Sequence, residues 1–256
     1  MDFLTATYTD VGIKKKTNQD SMLVMQADTD RGRVLFASVC DGMGGLAKGE
    51  VASATMIYTL RNWFLQRLPQ ILAEGPLQQN VLWSEWSALI EEASDKIVDY
   101  GVEVRVSLGT TAVVLLVIGN DYYIMNVGDS RIYLISDSIW QLTKDQTYVQ
   151  REMDAGRMTP EQAMVDPQRS VLLQCIGASR FVVPDFSYGT LQSNQVFLLC
   201  CDGFRHVISP QEFLNELNPK VLDSKETMVS KLKMLTELNK QRREDDNISA
   251  ILIKTL

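Results

Sequence analysis

The sequence predicts an α+β fold in which amphipathic helices cover the faces of β-sheets, and three observations lead to this prediction. Nine short runs rich in β-branched, aromatic and aliphatic residues are bounded by Gly, Asp or Asn, as strands are. Two longer stretches between them carry apolar residues at helical spacing. The strands follow one another too often for a regular βαβ repeat, so we expect helices and sheets in separate layers.

The predicted elements follow from these patterns in chain order. The strands cover approximately residues 3–10, 21–27, 33–40, 111–118, 122–127, 131–136, 181–188, 195–200 and 248–254. The apolar positions of the two long helices are Val51, Ala54, Ile57, Leu60, Phe64 and Leu68, then Trp86, Leu89, Ile90, Ala93 and Ile97. Three later helices begin where an N-cap side chain precedes an acidic or amide residue by three positions: Thr159 with Gln162, Ser209 with Glu212, and Asp223 with Glu226.

Composition indicates an ordinary globular chain of 256 residues, which we expect to form one domain. Its formal net charge of −7 argues against nucleic acid and against an anionic membrane surface as partners. The longest apolar run, Ala112–Ile118, is far shorter than the ~20 residues of a membrane-spanning helix. The N-terminus lacks a signal-peptide pattern, and the cysteines lack CxxC spacing, so we expect a cytoplasmic location and buried free thiols at Cys40, Cys175, Cys200 and Cys201.

Acidic residues stand at the ends of several predicted strands. Two buried strand patterns end at Asp41-Gly42 and at Asp202-Gly203, and Asp129 stands between two further strands. Each of these positions is also typical of a turn, because Asp can bond its own backbone and Gly tolerates a positive φ. Taken singly, none of them therefore distinguishes a functional site from a turn.

Two more acidic residues, Asp20 and Asp246, stand directly before apolar runs and bring the number of such sites to five. If these strand ends meet, the repulsion between the carboxylates would be costly unless cations neutralise it. Oxygen ligands of this kind suit hard ions such as Mg²⁺ or Mn²⁺. The sequence therefore predicts a two-metal site.

Other chemistries are excluded or carry a weak signal. His206 is the only histidine, which excludes a zinc site with several histidine ligands, and without a Gly-x-Ser-x-Gly sequence we expect it to be structural or at the surface. Cys175 and Arg180 are one residue too close for the Cys-x5-Arg phosphate loop. The glycine-rich residues 42–49 match neither a P-loop nor a dinucleotide fingerprint. The polar stretch 143–180 is either a mobile flap or an ordinary surface excursion.

Taken in order, a set of short motifs resembles the metal-dependent serine/threonine protein phosphatases of the PPM, or type 2C, family, especially their compact bacterial members. No single motif is specific for this family, but the order of the motifs along almost the whole chain is highly specific. The motifs are Gly12, Asn18-Gln19-Asp20, Asp41-Gly42-Met43-Gly44-Gly45, Gly109-Thr110-Thr111, Gly128-Asp129-Ser130-Arg131, Leu142-Thr143-Lys144-Asp145, Cys201-Asp202-Gly203 and Asp246-Asn247.

The resemblance implies a four-layer αββα sandwich, in which two antiparallel sheets are flanked by helices and the metal centre lies at one end between the sheets. It implies one catalytic domain over residues 1–256, with residues 146–170 as a flap near the active site. This is a more definite architecture than the layered α+β fold that the patterns alone predict.

The resemblance also implies a set of ligands for two, or with a weaker site three, Mg²⁺ or Mn²⁺ ions. Asp41 would bridge two ions, the carbonyl of Gly42 would bind one of them, and Asp202 and Asp246 would hold the other, which makes these three aspartates the expected catalytic residues. Asp129 would hold the third ion together with Asp202. The full expected set is Asp20, Asp41, Gly42, Asp129, Asp202 and Asp246, with Asp20 acting directly or through water.

The implied activity is hydrolysis of phosphoserine and phosphothreonine on proteins by a bridging water that the ions activate and orient. Lys15 stands where the family usually has an arginine that binds the substrate phosphate. Either it binds the phosphate with the same charge but without the bidentate contact of an arginine, or it belongs to a solvated basic run. The expected partners are phosphorylated substrates of a serine/threonine kinase, and the expected state is a monomer. Two alternatives stay open: a non-catalytic phosphoprotein-binding protein, and a phosphatase of small metabolites or of a dedicated regulatory protein.

Overall fold

The computed structural model of the chain describes residues 2–30, 32–44 and 48–256. Gly45 of the 41–45 motif, with Leu46 and Ala47 of the glycine-rich stretch, lies outside the described residues. Within the described ranges the strands are β1 (Phe3–Asp10), β2 (Asp20–Thr29), β3 (Gly32–Gly44), β4 (Leu108–Thr110), β5 (Ala112–Ile118), β6 (Asp121–Val127), β7 (Arg131–Ile135), β8 (Ile139–Gln141), β9 (Asp185–Thr190), β10 (Val196–Cys200) and β11 (Ile248–Thr255).

The helices lie between and after these strands. The first, α1 (Gly49–Asn62), continues through a π-helical turn (Trp63–Arg67) into α2 (Leu68–Glu74). The others are α3 (Gln79–Val104), α4 (Tyr148–Asp154), α5 (Pro160–Val165), α6 (Asp202–Arg205), α7 (Pro210–Leu217) and α8 (Lys225–Gln241). None of the helices in the described ranges is both long and apolar enough to cross a membrane.

The strands form two antiparallel sheets. The first sheet has the order β1-β11-β10-β7-β8, and the second has the order β2-β3-β5-β6-β9, with β4 paired to the end of β3. The strand β1 pairs along its whole length with β11, so the beginning and the end of the described chain lie side by side in one sheet. The strands β2 and β3 form a long hairpin in the other sheet.

Alternate side chains of the second sheet enter two different cores. Leu35, Ala37 and Val39 of β3 belong to the core shared with the first sheet, whereas Val34 and Phe36 belong to the core beneath the helices. The side chains of β5 alternate between the same two cores. Because both faces of this sheet are buried, β3 and β5 have continuous apolar sequences instead of alternating ones.

Helices cover the outer face of each sheet. On the second sheet, the ring of Phe36 lies 5.5 Å from that of Trp63, 5.4 Å from that of Phe64 and 6.4 Å from that of Trp86, which joins the π-helical turn after α1, and α3, to β3. On the first sheet, α7 and α8 bury a set of apolar residues, Phe213, Leu217, Met228, Leu232 and Leu235. The order of layers is helix, sheet, sheet, helix, which confirms the α+β, four-layer αββα sandwich.

One predicted strand boundary is wrong and two short strands were not predicted, each for a local reason. The strand predicted at 181–188 is β9, which starts only at residue 185, because Pro184 has no N–H for a ladder and directly precedes it. The backbone N–H of Val183 instead donates to Oε1 of Gln174 at 2.9 Å. The three-residue strands β4 and β8 were too short to stand out as periodic patterns.

The capping predictions are confirmed at two of three sites. Thr159 and Ser209 each form a reciprocal capping box. The third helix begins one residue later than predicted, because Ser224 is the N-cap and accepts from the backbone N–H of Thr227 at 3.1 Å. Asp223 is left to accept from the Thr227 hydroxyl at 2.6 Å. All four cysteines are buried free thiols, as predicted.

The aromatic cluster around Phe36 gives a test of the helix-covered core. We expect Phe36→Ala to lower the free energy of unfolding by about 3–5 kcal/mol, because the truncation leaves a cavity among large rings that cannot collapse into it. Tyr58→Ala, on the exposed side of α1, should change it by less than about 0.5 kcal/mol. Urea denaturation of both variants measures the difference, and equal effects would contradict the layer assignment.

Candidate metal centre and active site

Strand register places two of the predicted carboxylates opposite each other. Asp20 is the first residue of β2, and in the antiparallel ladder its partner is Asp41 of β3. A carboxylate oxygen of each, together with the sulfur of Cys201, lies within 4.8 Å of the others. The sulfur belongs to the residue directly before Asp202, so this group joins the ends of strands from both sheets.

Close backbone packing brings Asp202 and Asp246 to the same place. Asp202 is the first residue of α6, just after β10, and Asp246 lies in the turn before β11. A Cβ atom on Gly203 would lie 2.1 Å from the backbone oxygen of Asn247, so only glycine permits this approach. Gly12, at a φ of +77°, packs on the other side, where a Cβ would lie 2.2 Å from the backbone oxygen of Asp246.

The side chain of Asn247 joins the 246–247 turn to the segment before β2. Its Oδ1 accepts from the backbone N–H of Gln19 at 2.9 Å. Its Nδ2 donates to the carbonyl of Val11 at 2.9 Å and to that of Thr17 at 3.2 Å. One buried amide therefore fixes both ends of the loop that carries Lys15.

The backbone of Asp41 is held by the threonines of the Gly109-Thr110-Thr111 motif. The Thr110 hydroxyl donates to the Asp41 carbonyl at 2.9 Å, and the backbone N–H of Thr111 donates to the same oxygen at 2.9 Å. The Asp41 N–H donates to Oγ1 of Thr111 at 3.0 Å. Both threonines are buried, so these bonds hold the position of Asp41 away from competing water.

The electrostatics of this cluster favour a bound cation. Both side-chain oxygens of Asp20 and Oδ1 of Asp202 are buried without a hydrogen-bond partner. Burial, with the charges of Asp202 and Asp246, raises the pKa of Asp20 to about 7, although the nearby side chains of Ser249 and Cys201 act in the opposite direction. Burial and the charges of Asp20 and Asp202 also raise the pKa of Asp41 well above its ordinary range. Buried carboxylate oxygens that lack partners match the donor set that Mg²⁺ and Mn²⁺ prefer.

Cys201 is the one sulfur in this group, and its surroundings do not make it a ligand for a hard ion. Its thiol donates to the backbone carbonyl of Asn247 at 3.4 Å, and its sulfur accepts from the N–H of Ser249 at 3.2 Å. Burial raises the pKa of this thiol well above its usual range. Cys201 therefore serves to connect the ends of β10 and β11.

Lys15 lies at the exposed edge of the centre. Its Nζ is 2.7 Å from Oδ1 of Asp246, and the two side chains are 40% and 36% exposed. Burial lowers the pKa of Lys15, but the hydrogen bond to Asp246 and the charges of Asp41 and Asp202 outweigh that effect and raise it. The structure thus brings the predicted phosphate-binding residue to the centre. The neighbouring Lys14 is paired with Asp245 outside it.

Asp129 lies in the turn between β6 and β7 and is buried. Burial and the charge of Asp202 raise its pKa to about 7, while Arg205 acts in the opposite direction. Its contacts are with Arg205, whose Nη2 donates to the Asp129 carbonyl at 2.9 Å and lies 3.3 Å from its Oδ2. The sequence patterns did not indicate Arg205: its position one helical turn after Asp202 places it near that residue but does not predict its contact with Asp129.

His206 and Glu244 are two more residues that the patterns left unassigned to the centre. Nε2 of His206 is 3.4 Å from Oδ2 of Asp202, and its Nδ1 is 3.4 Å from Oε2 of Glu244. Burial lowers the pKa of His206, but Glu244 and Asp202 outweigh this and raise it. The i, i+4 spacing of Asp202 and His206 on a helix is the sequence signal for this contact.

Comparison with known proteins identifies the family of the chain. A family model described as Protein phosphatase 2C matches residues 13–252. The chain belongs to the protein phosphatase 2C family. It is 33% identical over 226 residues to the protein phosphatase PhpP of Streptococcus pneumoniae, an alignment that covers 86% of this chain and 87% of that one.

Solved structures of serine/threonine phosphatases have the same fold as this family member. That of S. agalactiae superposes with a TM-score of 0.82 at 26% identity and covers 100% of both chains. The catalytic domain of PstP, in complex with two manganese ions, superposes with a TM-score of 0.80 at 27% identity and covers 99% of this chain and 98% of that one. The chain is thus a protein-serine/threonine phosphatase, an enzyme that removes phosphate from phosphoserine and phosphothreonine and depends on divalent metal.

Asn247 gives a test of how this phosphatase holds its centre together. We expect Asn247→Ala to lower the free energy of unfolding by about 2–3 kcal/mol, because it leaves the buried backbone groups of residues 11, 17 and 19 without a partner. Asn215→Ala, on the exposed face of α7, should be within about 0.5 kcal/mol of the wild type. Denaturation in the presence of a chelator measures both, and a neutral Asn247→Ala would show that the turn does not depend on this amide.

Proposed function

We propose that Asp20, Asp41, Asp202 and Asp246, with the carbonyl of Gly42, hold two Mg²⁺ or Mn²⁺ ions for phosphoester hydrolysis. The observation that carries this proposal is that both side-chain oxygens of Asp20, which lies close to Asp41, and Oδ1 of Asp202 are buried without hydrogen-bond partners. Removing a carboxylate from water without a partner is costly, and a hard divalent cation compensates for that cost. The two manganese ions in the PstP structure support this number of ions.

When bound, the two ions supply an activated water and neutralise charge on the phosphoryl group as it is transferred. The protein contributes preorganisation, since Thr110 and Thr111 hold the backbone of Asp41 in place before substrate arrives. Asp202 begins α6 and Asp246 lies in the turn before β11, and these two segments pack closely on each other, so the backbone sets the separation of the two residues. We propose Asp41, Asp202 and Asp246 as the catalytic residues on this basis.

Lys15 is the group that we propose for binding the substrate phosphate. Its Nζ has one carboxylate partner, Asp246, and is open to solvent, so a phosphate oxygen can reach it from outside the centre. A lysine offers a single ammonium group in place of the bidentate contact of an arginine guanidinium. Binding is therefore oriented by the metal ions together with one ammonium group.

The remaining proposals concern the setting of the reaction. We propose that the substrates are proteins phosphorylated by a serine/threonine kinase, that residues 1–256 act as one catalytic domain and that residues 146–170 form a flap. Gln146 supports the flap, because it ties the start of this segment to Gly128, next to Asp129, and to Asp185 at 2.8 Å. A monomer is supported because one chain supplies all the carboxylates of the proposed metal centre. A cytoplasmic location is supported by the four free thiols.

The formal charge of −7 supports partners other than nucleic acid and membranes.

The metal centre is tested by hydrolysis of a phosphothreonine peptide with Mn²⁺, with Mg²⁺ or with a chelator. We expect metal-dependent phosphate release that falls by at least about 10²–10³-fold in Asp41→Asn, since the variant loses a charged ligand of the ions that stabilise the transition state. Asp28→Asn, an exposed change at the far end of the same hairpin, should keep wild-type activity. Wild-type activity in Asp41→Asn would refute the assignment of Asp41 as a metal ligand. Hydrolysis of a panel of small phosphate esters, compared with that of the peptide, reports whether the enzyme prefers peptides.

Lys15 is tested against its neighbour. We expect Lys15→Ala to lower kcat/KM for the phosphopeptide by about 10–100-fold, the value of one hydrogen bond to a charged group. Lys15→Arg should keep or improve it, because the guanidinium adds a bidentate contact. Lys14→Ala removes a charge of the same sign from a residue paired with Asp245 and serves as the control. If Lys14→Ala and Lys15→Ala behave alike, the two lysines belong to a solvated basic run.

A further inference from the structure

An arginine occupies the position beside Asp129. Arg205 lies three residues after Asp202 on α6, and its side chain is only 9% exposed. Its Nη2 donates to the carbonyl of Asp129 at 2.9 Å and lies 3.3 Å from Oδ2 of Asp129 and 3.2 Å from Oδ2 of Asp145. The guanidinium therefore binds Asp129 through both its backbone and its side chain.

The arrangement continues into a second ion pair. Nε and Nη2 of Arg131 donate to the two carboxylate oxygens of Asp145, each at 2.7 Å. Nη1 of Arg131 donates to the hydroxyl of Tyr133 at 2.8 Å. Two arginines and two aspartates thus form one buried network, in which every carboxylate has a guanidinium partner.

We propose that the guanidinium of Arg205 takes the place of a third metal ion, so that this phosphatase uses two ions and Asp129 anchors Arg205 instead of binding metal. The inference rests on the two-ion centre proposed above and concerns its number of sites. The residues around Asp129 do not fit a third ion, for a steric and an electrostatic reason.

The steric reason is the position of Arg205 relative to the two carboxylates. A cation shared by Asp129 and Asp202 would have to lie beside a guanidinium that starts from the same short helix as Asp202. Arg205 is nearly buried and bonded to Asp129 and Asp145, so it has no exposed position to move to without giving up these bonds. Two cations would then share one buried space with like charges in contact.

The electrostatic reason is the charge balance of the centre. Asp20, Asp41, Asp129, Asp202 and Asp246 are opposed by the two cationic side chains Lys15 and Arg205, which leaves three negative charges uncompensated. Glu244 and His206 face each other, and this pair adds at most one more negative charge. Two divalent ions supply four positive charges, which bring the net charge of the cluster to between zero and +1, so a third ion would find no negative charge left to compensate.

The number of bound ions tests the inference directly. Metal-stripped protein is titrated with Mn²⁺ up to millimolar concentration, and bound ions are counted by equilibrium dialysis with elemental analysis. We expect two ions per chain in the wild type and a third, weaker ion in Arg205→Gln, where Asp129 loses its cationic partner. The double variant Arg205→Gln/Asp129→Asn should return to two ions.

Three further variants separate this effect from a loss of folding. Arg205→Lys keeps the charge and should bind two ions, and Asp129→Asn with Arg205 in place should also keep two. Arg33→Gln removes an arginine at the opposite end of the β2–β3 hairpin and should keep two as well. Three ions in the wild type, the loss of one in Asp129→Asn, or only two in Arg205→Gln would overturn the inference. Fewer than two ions in the wild type would overturn the proposed centre itself.

Discussion

Carboxylates from both sheets meet at one end of the sandwich, and their mutual repulsion is the constraint on which the rest of the structure depends. Asp20 and Asp41 face each other across the ladder of β2 and β3, while Asp202 and Asp246 stand next to strands of the other sheet. Two like charges about 4 Å apart repel by about 4 kcal/mol at an effective dielectric constant of about 20. Without cations, the surrounding fold has to hold these groups together, and the two cores that bury both faces of the second sheet provide the necessary stability.

The turns that carry the carboxylates are held by contacts that leave no room for adjustment. Gly12 and Gly203 each touch the 246–247 turn at distances that a side chain would prohibit. Asn247 adds three hydrogen bonds to the chain before β2. Because these contacts are made by the protein alone, the backbone itself holds the carboxylate-bearing segments together, and such fixed positioning is what preorganised electrostatic catalysis requires.

The sequence indicated the carboxylates because each of them interrupts an apolar run, and this signal is local. Asp41 and Asp202 follow buried strands, and the helix caps at Thr159 and Ser209 are equally local. Features that depend on which residue another residue contacts could not be predicted from the sequence. The choice of Ser224 over Asp223 as N-cap, and the contact of Arg205 with Asp129, follow from three-dimensional packing that no spacing encodes. The four-layer order came from the resemblance, because periodicity alone cannot assign strands to one of two sheets.

Lys15 and Arg205 show how the same charge serves two purposes through different burial. Lys15 is 40% exposed and holds a single carboxylate, so exchanging Asp246 for a phosphate oxygen costs little desolvation. Arg205 is 9% exposed and binds two aspartates at once, so any exchange would leave buried charges without partners. The exposed cation is therefore suited to a ligand that arrives and leaves in each turnover. The buried cation is suited to a permanent role in the charge balance, and this difference supports the proposed substrate binding by Lys15 and the proposed compensation of the metal centre by Arg205.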